Sequence, residues 1–256
     1  MITTLLFDVG GTLHDVRGTD ASRLRFSTHL INRLGQYGIH LETTPEQLTV
    51  SLRKNAEAYK QRGERELTEL PEEIIWNDWY LKEFQIGRER LKPIAEELSF
   101  LYDYERVENM RKPRLRETIE RLHRMGIRMG IVSKIISTSL VPHILMEYGI
   151  SEYMETQIMS EGVGIRKPDP RIFAIAINKL GVSAAETGYV GDTISRDVLG
   201  ARNAQLGLVI QVANPSIAHR DVAFQNADAP KPDYRIQELD EIPEILCRIN
   251  HIEPTF

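Results

Sequence analysis

Residues 2–13 read ITTLLFDVGGTL. The apolar run over 2–7 predicts a short buried parallel strand, and Gly10 and Gly11 predict a tight loop that a phosphate can approach. Asp8 stands where the strand meets this loop, so its carboxylate is placed to act as a nucleophile or a metal ligand. A second carboxylate for proton transfer would be expected two residues later, but that position is Gly10.

Further polar residues stand at the ends of later predicted strands and in one loop. They are Ser133 after strand 127–132, Lys167 in loop 164–170 at the start of a helix, and Asp192 and Asp197 after strand 187–190. Ligands bind outside the carboxyl ends of the strands in open parallel sheets, so we expect these residues to converge there with Asp8. Taken singly, each is more typical of a cap or a solvated surface, and only their joint order favours a site.

This order resembles the haloacid dehalogenase (HAD) superfamily of hydrolases and phosphotransferases. The resemblance covers 1–13 and most of 110–240, and its most specific strings are KPDPRIF at 167–173 and GDTISRD at 191–197. The correspondences that it implies are Asp8 as the motif I nucleophile, Ser133 as the motif II hydroxyl, Lys167 as the motif III lysine, and Asp192 and Asp197 as the acidic pair of motif IV.

The resemblance implies Mg²⁺-dependent phosphoryl transfer. Asp8 would attack phosphorus to give an aspartyl phosphate. The metal would be held by the Asp8 carboxylate, the backbone carbonyl of Gly10 and the Asp192 carboxylate. Asp197 would orient the motif III lysine or a metal-bound water without binding the metal itself.

The same resemblance implies a phosphate site. Ser133 and the loop N–H groups around Val9, Gly10 and Gly11 would hydrogen-bond the phosphate oxygens. Lys167 would act on the phosphate as a point charge.

Two departures from the family pattern bear on turnover. Most phosphatases of the family carry an acid where this chain has Gly10, and general acid–base help is worth about 10² to 10⁴ in rate. Lys134 stands where Asn is common, so it either adds positive charge near the phosphate or points to solvent. His14 and Asp15 follow motif I and could replace the missing acid. The alternative is that both are linker residues that cap the next turn.

The pattern changes along the chain from strand–helix alternation to helices only and back. Helix signals fall at 20–35, at Thr44-Pro45-Glu46-Gln47, at Leu70-Pro71-Glu72-Glu73 and over 93–102. We therefore predict a core of 1–15 and 108–256 with an inserted helical cap domain, 16–107, that resembles the family's C1-type cap. The cap's aromatic residues at helical spacing, expected to form its own core, are Trp76, Trp79, Tyr80 and Phe84.

The core is predicted to be an α/β fold with a Rossmann-like, mostly parallel sheet and right-handed crossovers. A helix is predicted over 113–125 with Gly126 as its cap. The later elements are predicted to be strands at 208–212 and 234–236 and a closing helix at 242–249.

Net charge, cysteine content and the length of apolar runs indicate which classes of protein and which compartment suit this chain. The 256 residues carry a net charge of −5, so the chain lacks the excess of positive charge that is typical of proteins that bind nucleic acid. Cys247 is the single cysteine and is expected to be a core thiol, which suits a reducing cytoplasm. No signal peptide is expected before the first strand, and no apolar run is long enough for a membrane span.

Three functions remain open from the sequence. The first is Mg²⁺-dependent hydrolysis of small phosphorylated metabolites, slowed by Gly10. The second is a weakly active or non-catalytic member that binds phosphorylated ligands. The third is a halo-acid hydrolase or a phosphonate hydrolase. For the phosphonate reaction the resemblance implies a cap lysine that forms a Schiff base, and Lys54, Lys60 and Lys82 are available, although no motif marks one. The substrate and the oligomeric state stay undetermined.

Overall fold

A computed structural model of the chain describes residues 1–224 and 228–251. Its centre is a six-stranded, wholly parallel sheet in the order β5-β4-β1-β6-β7-β8. The strands are β1 (Thr4–Phe7), β4 (Arg128–Ser133), β5 (Met154–Met159), β6 (Thr187–Gly191), β7 (Leu208–Val212) and β8 (Tyr234–Ile236). The predicted α/β fold is confirmed.

The register of the sheet brings the predicted site residues together. Phe7 on β1 pairs with Ile131 on β4 and with Val190 on β6. The three central strands therefore end at the same level. As a consequence, the residues that follow them lie along one edge of the sheet.

Helices cover both faces of the sheet. Leu5 and Phe7 pack into the hydrophobic layer on one face, whereas Leu6 packs into the layer on the other, as alternation along a strand requires. The helices of the core are α6 (Leu115–Arg124), α7 (Leu140–Glu147), α8 (Ser160–Val163), α9 (Pro170–Leu180), α10 (Leu199–Asn203) and α11 (Ile242–Asn250). Cys247 is buried on α11, as expected of a core thiol.

The segment between β1 and β4 is largely helical and has a hydrophobic cluster of its own. Its elements are α1 (Asp20–Gln36), α2 (Pro45–Glu66), α3 (Glu72–Ile74), a π-helical stretch (Ile75–Tyr80), α4 (Arg88–Leu91) and α5 (Ala95–Glu105). Thr44 caps α2 through a reciprocal capping box with Gln47, as predicted. Trp76 and Tyr80 are buried in the cluster, with Trp79 and Phe84 packed against it.

Two further strands form a feature that the sequence did not reveal. β2 (His14–Arg17) and β3 (Glu108–Arg111) pair as an antiparallel ribbon at the two points where the chain passes between core and cap. The predicted boundary at residue 15 falls within this ribbon, and the division into 1–15 with 108–256 and 16–107 stays a prediction. Over the described ranges, no helix has both the length and the apolar character that crossing a membrane requires.

Candidate active site

Asp8 lies buried at the carboxyl end of β1. Its N–H donates to Val190 O at 2.9 Å, which continues the β1–β6 pairing by one residue and fixes where the side chain begins. Ser133 Oγ donates to Asp8 Oδ1 at 2.7 Å, and Lys167 Nζ lies 3.0 Å from the same oxygen. No hydrogen bond reaches Oδ2 from the described residues, so one carboxylate oxygen is oriented and the other is available.

Lys167 is buried with its ammonium group shared between carboxylates. Nζ donates to Asp197 Oδ1 at 2.6 Å and to the Tyr189 hydroxyl at 2.7 Å. Burial alone would lower the pKa of Lys167, but Asp197 and Asp8 raise it above its usual value. The side chain is therefore a fixed positive charge beside Asp8.

Both carboxylate oxygens of Asp197 have protein partners, and Lys167 is one of them. Asp197 Oδ2 accepts from the N–H and the hydroxyl of Thr193, and its Oδ1 accepts from Lys167, with the Tyr189 hydroxyl oxygen 3.2 Å away. Although burial opposes ionisation, Lys167 and Arg196 hold the pKa of Asp197 below its usual range. The carboxylate packs against Gly191, where an added Cβ would stand 2.5 Å from Asp197 Cγ. Asp197 lies in a π-helical turn (Ile194–Val198), and its orienting role in the reaction stays a prediction.

Asp192 differs because half of its carboxylate has no protein partner. Asn214 Nδ2 donates to Oδ2 at 2.8 Å, whereas Oδ1 is buried without a hydrogen bond among the described residues. Burial, Asp197 and Asp8 together raise the pKa of Asp192 to about 7. A buried acceptor in this state is costly unless a cation or donor satisfies it.

The acidic side chains fit a divalent metal ion. One carboxylate oxygen each from Asp8, Asp192 and Asp197 lie within 4.8 Å of one another. Since Asp197 is already engaged, Asp8 and Asp192 are the two that would hold Mg²⁺, which prefers one or two carboxylates and keeps several waters. The part of the Gly10 carbonyl in this ligand set stays a prediction.

The two loop glycines are not equivalent. Gly11 has φ +83°, and a Cβ there would stand 1.9 Å from Asp192 Oδ2, so the loop passes directly against the metal-ligand candidate. The Gly11 N–H donates to His14 O at 2.8 Å, a bond that competes with its predicted contact to phosphate. A Cβ at Gly10 would instead meet only Val16 Cγ2, at 3.4 Å.

Both neighbours that could replace the missing acid have other partners. His14 is buried, with Nδ1 3.1 Å from the Tyr148 hydroxyl, and burial lowers the pKa of His14 to about 4. His14 is therefore neutral at pH 7, and a neutral imidazole is a poor general acid. Asp15 pairs with Lys112 Nζ at 2.7 Å. Neither is a turn cap, because both belong to β2.

Comparison with known protein families identifies the family to which this chain belongs. The sequence model of haloacid dehalogenase-like hydrolases matches residues 2–205. The chain belongs to this family of hydrolases.

This HAD-like hydrolase is similar to several phosphatases, and the fraction of the chain that the similarity covers differs between them. It is 24% identical over 246 residues to a glyceraldehyde 3-phosphate phosphatase of Methanopyrus kandleri, covering 96% of this chain and 97% of that one. It is 29% identical to a phosphoglycolate phosphatase of Vibrio parahaemolyticus, over 53% of this chain and 56% of that protein. The second similarity therefore spans only about half of each.

Solved structures share the fold over nearly the whole chain. A 2-haloacid dehalogenase from Pseudomonas syringae superposes with a TM-score of 0.66 at 21% identity, covering 97% of this chain and all of that one. A HAD phosphatase from Thermococcus onnurineus gives 0.59 at 24% identity, covering 96% and 98%. At these identities the likeness speaks for the fold alone.

Lys134 of this HAD-like hydrolase does not point to bulk solvent. It is half-buried and lines a cavity between the helical segment and the core. Burial and the nearby Arg166 lower the pKa of Lys134 to about 7. Of the three cap lysines considered above, Lys60 lines this cavity and lies 3.3 Å from Glu57, whereas Lys54 and Lys82 are exposed.

Sequence reasoning missed several residues that organise the site. Tyr189 bonds Lys167 and also donates to Val132 O at 2.9 Å, which ties the lysine to β4. Arg196 is half-buried, and although burial lowers its pKa, it lies close enough to Asp197, Asp192 and Asp8 for its pKa to be raised by them. Arg196 stands inside the GDTISRD string, so it could have been singled out. Asn214, the partner of Asp192, gave no signal in the sequence.

A buried ion pair joins the cap to the motif III loop. Arg166 Nε lies 3.1 Å from Glu69 Oε2, to which Ser160 Oγ also donates at 2.8 Å. Tyr59 bonds the other Glu69 oxygen. A backbone hydrogen bond joins the same two segments, since the Arg166 N–H donates to Leu67 O at 3.0 Å. The residue directly before Lys167 is therefore fixed by the cap.

Proposed function

We propose that the chain is a Mg²⁺-dependent phosphatase of small phosphorylated metabolites, with Asp8 as the nucleophile. The observation that carries the proposal is the state of the Asp8 carboxylate. Ser133 and Lys167 both hold Oδ1, which leaves Oδ2 to attack. A nucleophile whose orientation is fixed in advance contributes to rate by proximity and alignment.

The reaction would proceed in two displacements at phosphorus. Asp8 Oδ2 forms a bond to phosphorus while the ester P–O bond breaks, and the alcohol leaves as an alkoxide that takes a proton from water. Water then attacks the aspartyl phosphate, releases inorganic phosphate and restores the carboxylate. When the phosphoryl group binds, Ser133 and Lys167 would turn the donors that now reach Asp8 Oδ1 toward the phosphoryl oxygens. Bound Mg²⁺ would neutralise charge on those oxygens and on Asp8.

Two further observations support this class of reaction. The unpartnered Oδ1 of Asp192 favours metal-dependent phosphatases over haloacid dehalogenases, which lack the metal site. Both curated relatives described above are named as phosphatases of small phosphorylated metabolites, and the first matches this chain over nearly its full length.

A second candidate is a slow or non-catalytic protein that binds phosphorylated ligands. It is favoured by the glycine at position 10 together with the engagement of both neighbours, His14 with Tyr148 and Asp15 with Lys112. In this case the site would bind phosphate, but the leaving group would receive no proton from a protein carboxyl.

One assay separates the two candidates. The purified protein is incubated with p-nitrophenyl phosphate and a panel of phosphorylated metabolites, with Mg²⁺ or with EDTA. We expect phosphate release that requires Mg²⁺ and that falls to background in Asp8→Asn, with an unchanged unfolding temperature. Asp20→Asn, at an exposed position, is the matched control and should keep full activity. Unchanged turnover in a folded Asp8→Asn protein refutes the nucleophile, and binding without release by the parent favours the second candidate.

A further inference from the structure

A cavity of about 510 Å³ lies between the cap helices and the core loops. This volume is in the range of pockets that hold small ligands. The cap contributes an unusual number of basic side chains to its wall: Arg23, Arg53, Lys60 and Arg106.

The core contributes three more cations, which are Lys134, Arg166 and Arg220. The acidic groups that oppose the seven are Glu57 and Asp103 in the wall, Glu69 beside Arg166, and Asp20, which lies 3.0 Å from Arg23. Matching each acid with one cation leaves an excess of three positive charges, in a chain whose net charge is −5. The cavity wall therefore carries a net positive charge, whereas the net charge of the whole chain is negative.

Some of these cations lack hydrogen-bond acceptors. Arg166 is only 2% exposed, and while its Nε meets Glu69, its Nη1 is buried without a partner among the described residues. Nε of Arg106 is likewise buried without one. Unsatisfied buried donors on charged groups are costly, so these two guanidinium groups carry positive charge that their surroundings do not fully compensate.

A neighbouring cation also acts on Lys134. Burial is the first cause that lowers the pKa of Lys134, and the nearby Arg166 lowers it further. The effect of Arg166 has the direction expected where two cations lie close together.

The cavity adjoins the phosphoryl site through the chain itself. Lys134 follows Ser133, and Arg166 precedes Lys167, so two of its cations are direct neighbours of the two residues that hold Asp8. Consecutive Cα atoms are 3.8 Å apart, which places this part of the cavity wall about one residue from the phosphate contacts. Asp8, Ser133 and Lys167 are not themselves in the wall, so a molecule that binds at both places would have to span this step.

We propose that the substrate carries a second anionic group, a carboxylate or a phosphate, which this cavity binds while the phosphoryl group lies at Asp8. The proposal rests on the proposed function and narrows its substrate class to metabolites with two anionic ends. Seven cations exceed what one phosphoryl group needs beside Lys167 and Mg²⁺. Arginine supplies the planar donor pairs that match a carboxylate or phosphate.

The test measures binding, so that it does not depend on turnover. Three-carbon phosphonates that end in methyl, carboxylate or a second phosphonate are titrated into the Mg²⁺-loaded protein by calorimetry. We expect at least one of the two doubly anionic ligands to bind about tenfold or more tightly than the methyl-ended one. This preference should shrink as salt is raised. The better of the two identifies the second group.

Paired variants locate the preference in the cavity. Arg53→Gln and Arg106→Gln should each reduce the ratio of affinities for doubly and singly anionic ligands several-fold. Lys54→Gln, at the exposed position next to Arg53 and outside the cavity wall, should keep it. Because Arg53 lies on the surface of α2, its replacement keeps the test valid if Arg106→Gln fails to fold.

The outcomes separate this proposal from the proposed function. Equal affinity for all three ligands overturns the second anionic group, whether or not phosphate esters are hydrolysed. A fall in affinity for every ligand by the same factor in Arg53→Gln also overturns it, because it shows general attraction of anions. A preference for doubly anionic ligands without any hydrolysis upholds the cavity's role and refutes only the phosphatase.

Discussion

Gly63 on α2 lies directly against the guanidinium group of Arg166. A Cβ at position 63 would stand 1.1 Å from Arg166 Nη1 and 2.3 Å from its Cζ. The guanidinium cannot easily move aside, because it is buried and paired with Glu69. The absence of a side chain at this one helix position therefore allows the cap to hold the residue that precedes Lys167.

Gly63→Ala should destabilise the protein although alanine favours helices. The methyl group would displace Arg166 from Glu69, and we expect a loss of about 1–3 kcal/mol, as for other overpacked sites. Gly35→Ala on α1 is the control, since its nearest atom would be His40 Nδ1 at 3.9 Å. It should gain about 0.5–1 kcal/mol from helix propensity. Equal denaturant midpoints for the two variants would contradict the role of Gly63.

Much of the core followed from the sequence because its signals are local. The strand before Asp8 is a short apolar run, and the strings at 167–173 and 191–197 carry several specific residues each. The parallel register then brings Asp8, Ser133 and Lys167 together, as their order along the chain predicted. Thr44 and Pro45 likewise marked a helix start by local chemistry.

What was missed depends on contacts between distant parts of the chain. Glu69 and Arg166 are 97 positions apart, and neither stands in a pattern that marks a buried ion pair. β5 was not predicted because, at the sheet edge, its burial alternates and Glu155 is exposed, so no continuous apolar run forms. The β2–β3 ribbon joins segments more than 90 residues apart through polar residues such as Asp15 and Asn109.

Mg²⁺ should stabilise the protein, and more strongly above pH 7. Since the pKa of Asp192 is raised to about 7, protons compete with the metal as the pH falls below that value. Metal at a hundred times its Kd adds about 2.7 kcal/mol by linkage, and the gain should be smaller at pH 6 than at pH 8. Melting curves with and without Mg²⁺ at both pH values measure this.

Two variants control the metal experiment. Asp192→Asn should abolish the Mg²⁺-induced shift in melting temperature, while Asp240→Asn, at a position paired with Arg114 on the surface, should keep it. A shift of undiminished size in Asp192→Asn would remove Asp192 from the metal site.

The buried His14 should make the fold sensitive to acid. Its folded pKa of about 4 is below the unfolded value of 6.5, so the neutral form stabilises the fold. This contribution is complete above pH 6.5 and is lost as the pH falls from there toward 4, by up to about 3 kcal/mol.

His14→Asn should reduce the slope of stability against pH between 6.5 and 4.5. The exposed His40 offers the matched control, and His40→Asn should leave the slope as in the parent. Denaturant unfolding at several pH values gives both slopes. If His14→Asn and the parent have the same slope, His14 is not held neutral in the folded state.

Gly10→Asp should restore the missing acid. A Cβ at this position meets only Val16 Cγ2 at 3.4 Å, and Gly10 is not among the glycines with positive φ, so an aspartate fits the backbone. Proton donation matters most when the departing alkoxide is strongly basic and little for a phenolate. We therefore expect transfer of the phosphoryl group from alkyl phosphates to Asp8 to become about 10²-fold or more faster, with little change in that step for p-nitrophenyl phosphate.

With p-nitrophenyl phosphate, whose phenolate leaves without an acid, the parent protein should show a burst of p-nitrophenol followed by slow turnover, because no carboxylate activates water against the aspartyl phosphate. Rapid-mixing measurements of burst amplitude, compared between the parent and Gly10→Asp, test this together with the leaving-group dependence. Gly11→Asp controls for the mere addition of charge to the loop. At φ +83° and with Cβ 1.9 Å from Asp192 Oδ2, it should destroy the site instead of improving it. If the parent gives no burst and Gly10→Asp gains nothing on alkyl phosphates, another group already supplies the proton, and the account of a missing acid is wrong.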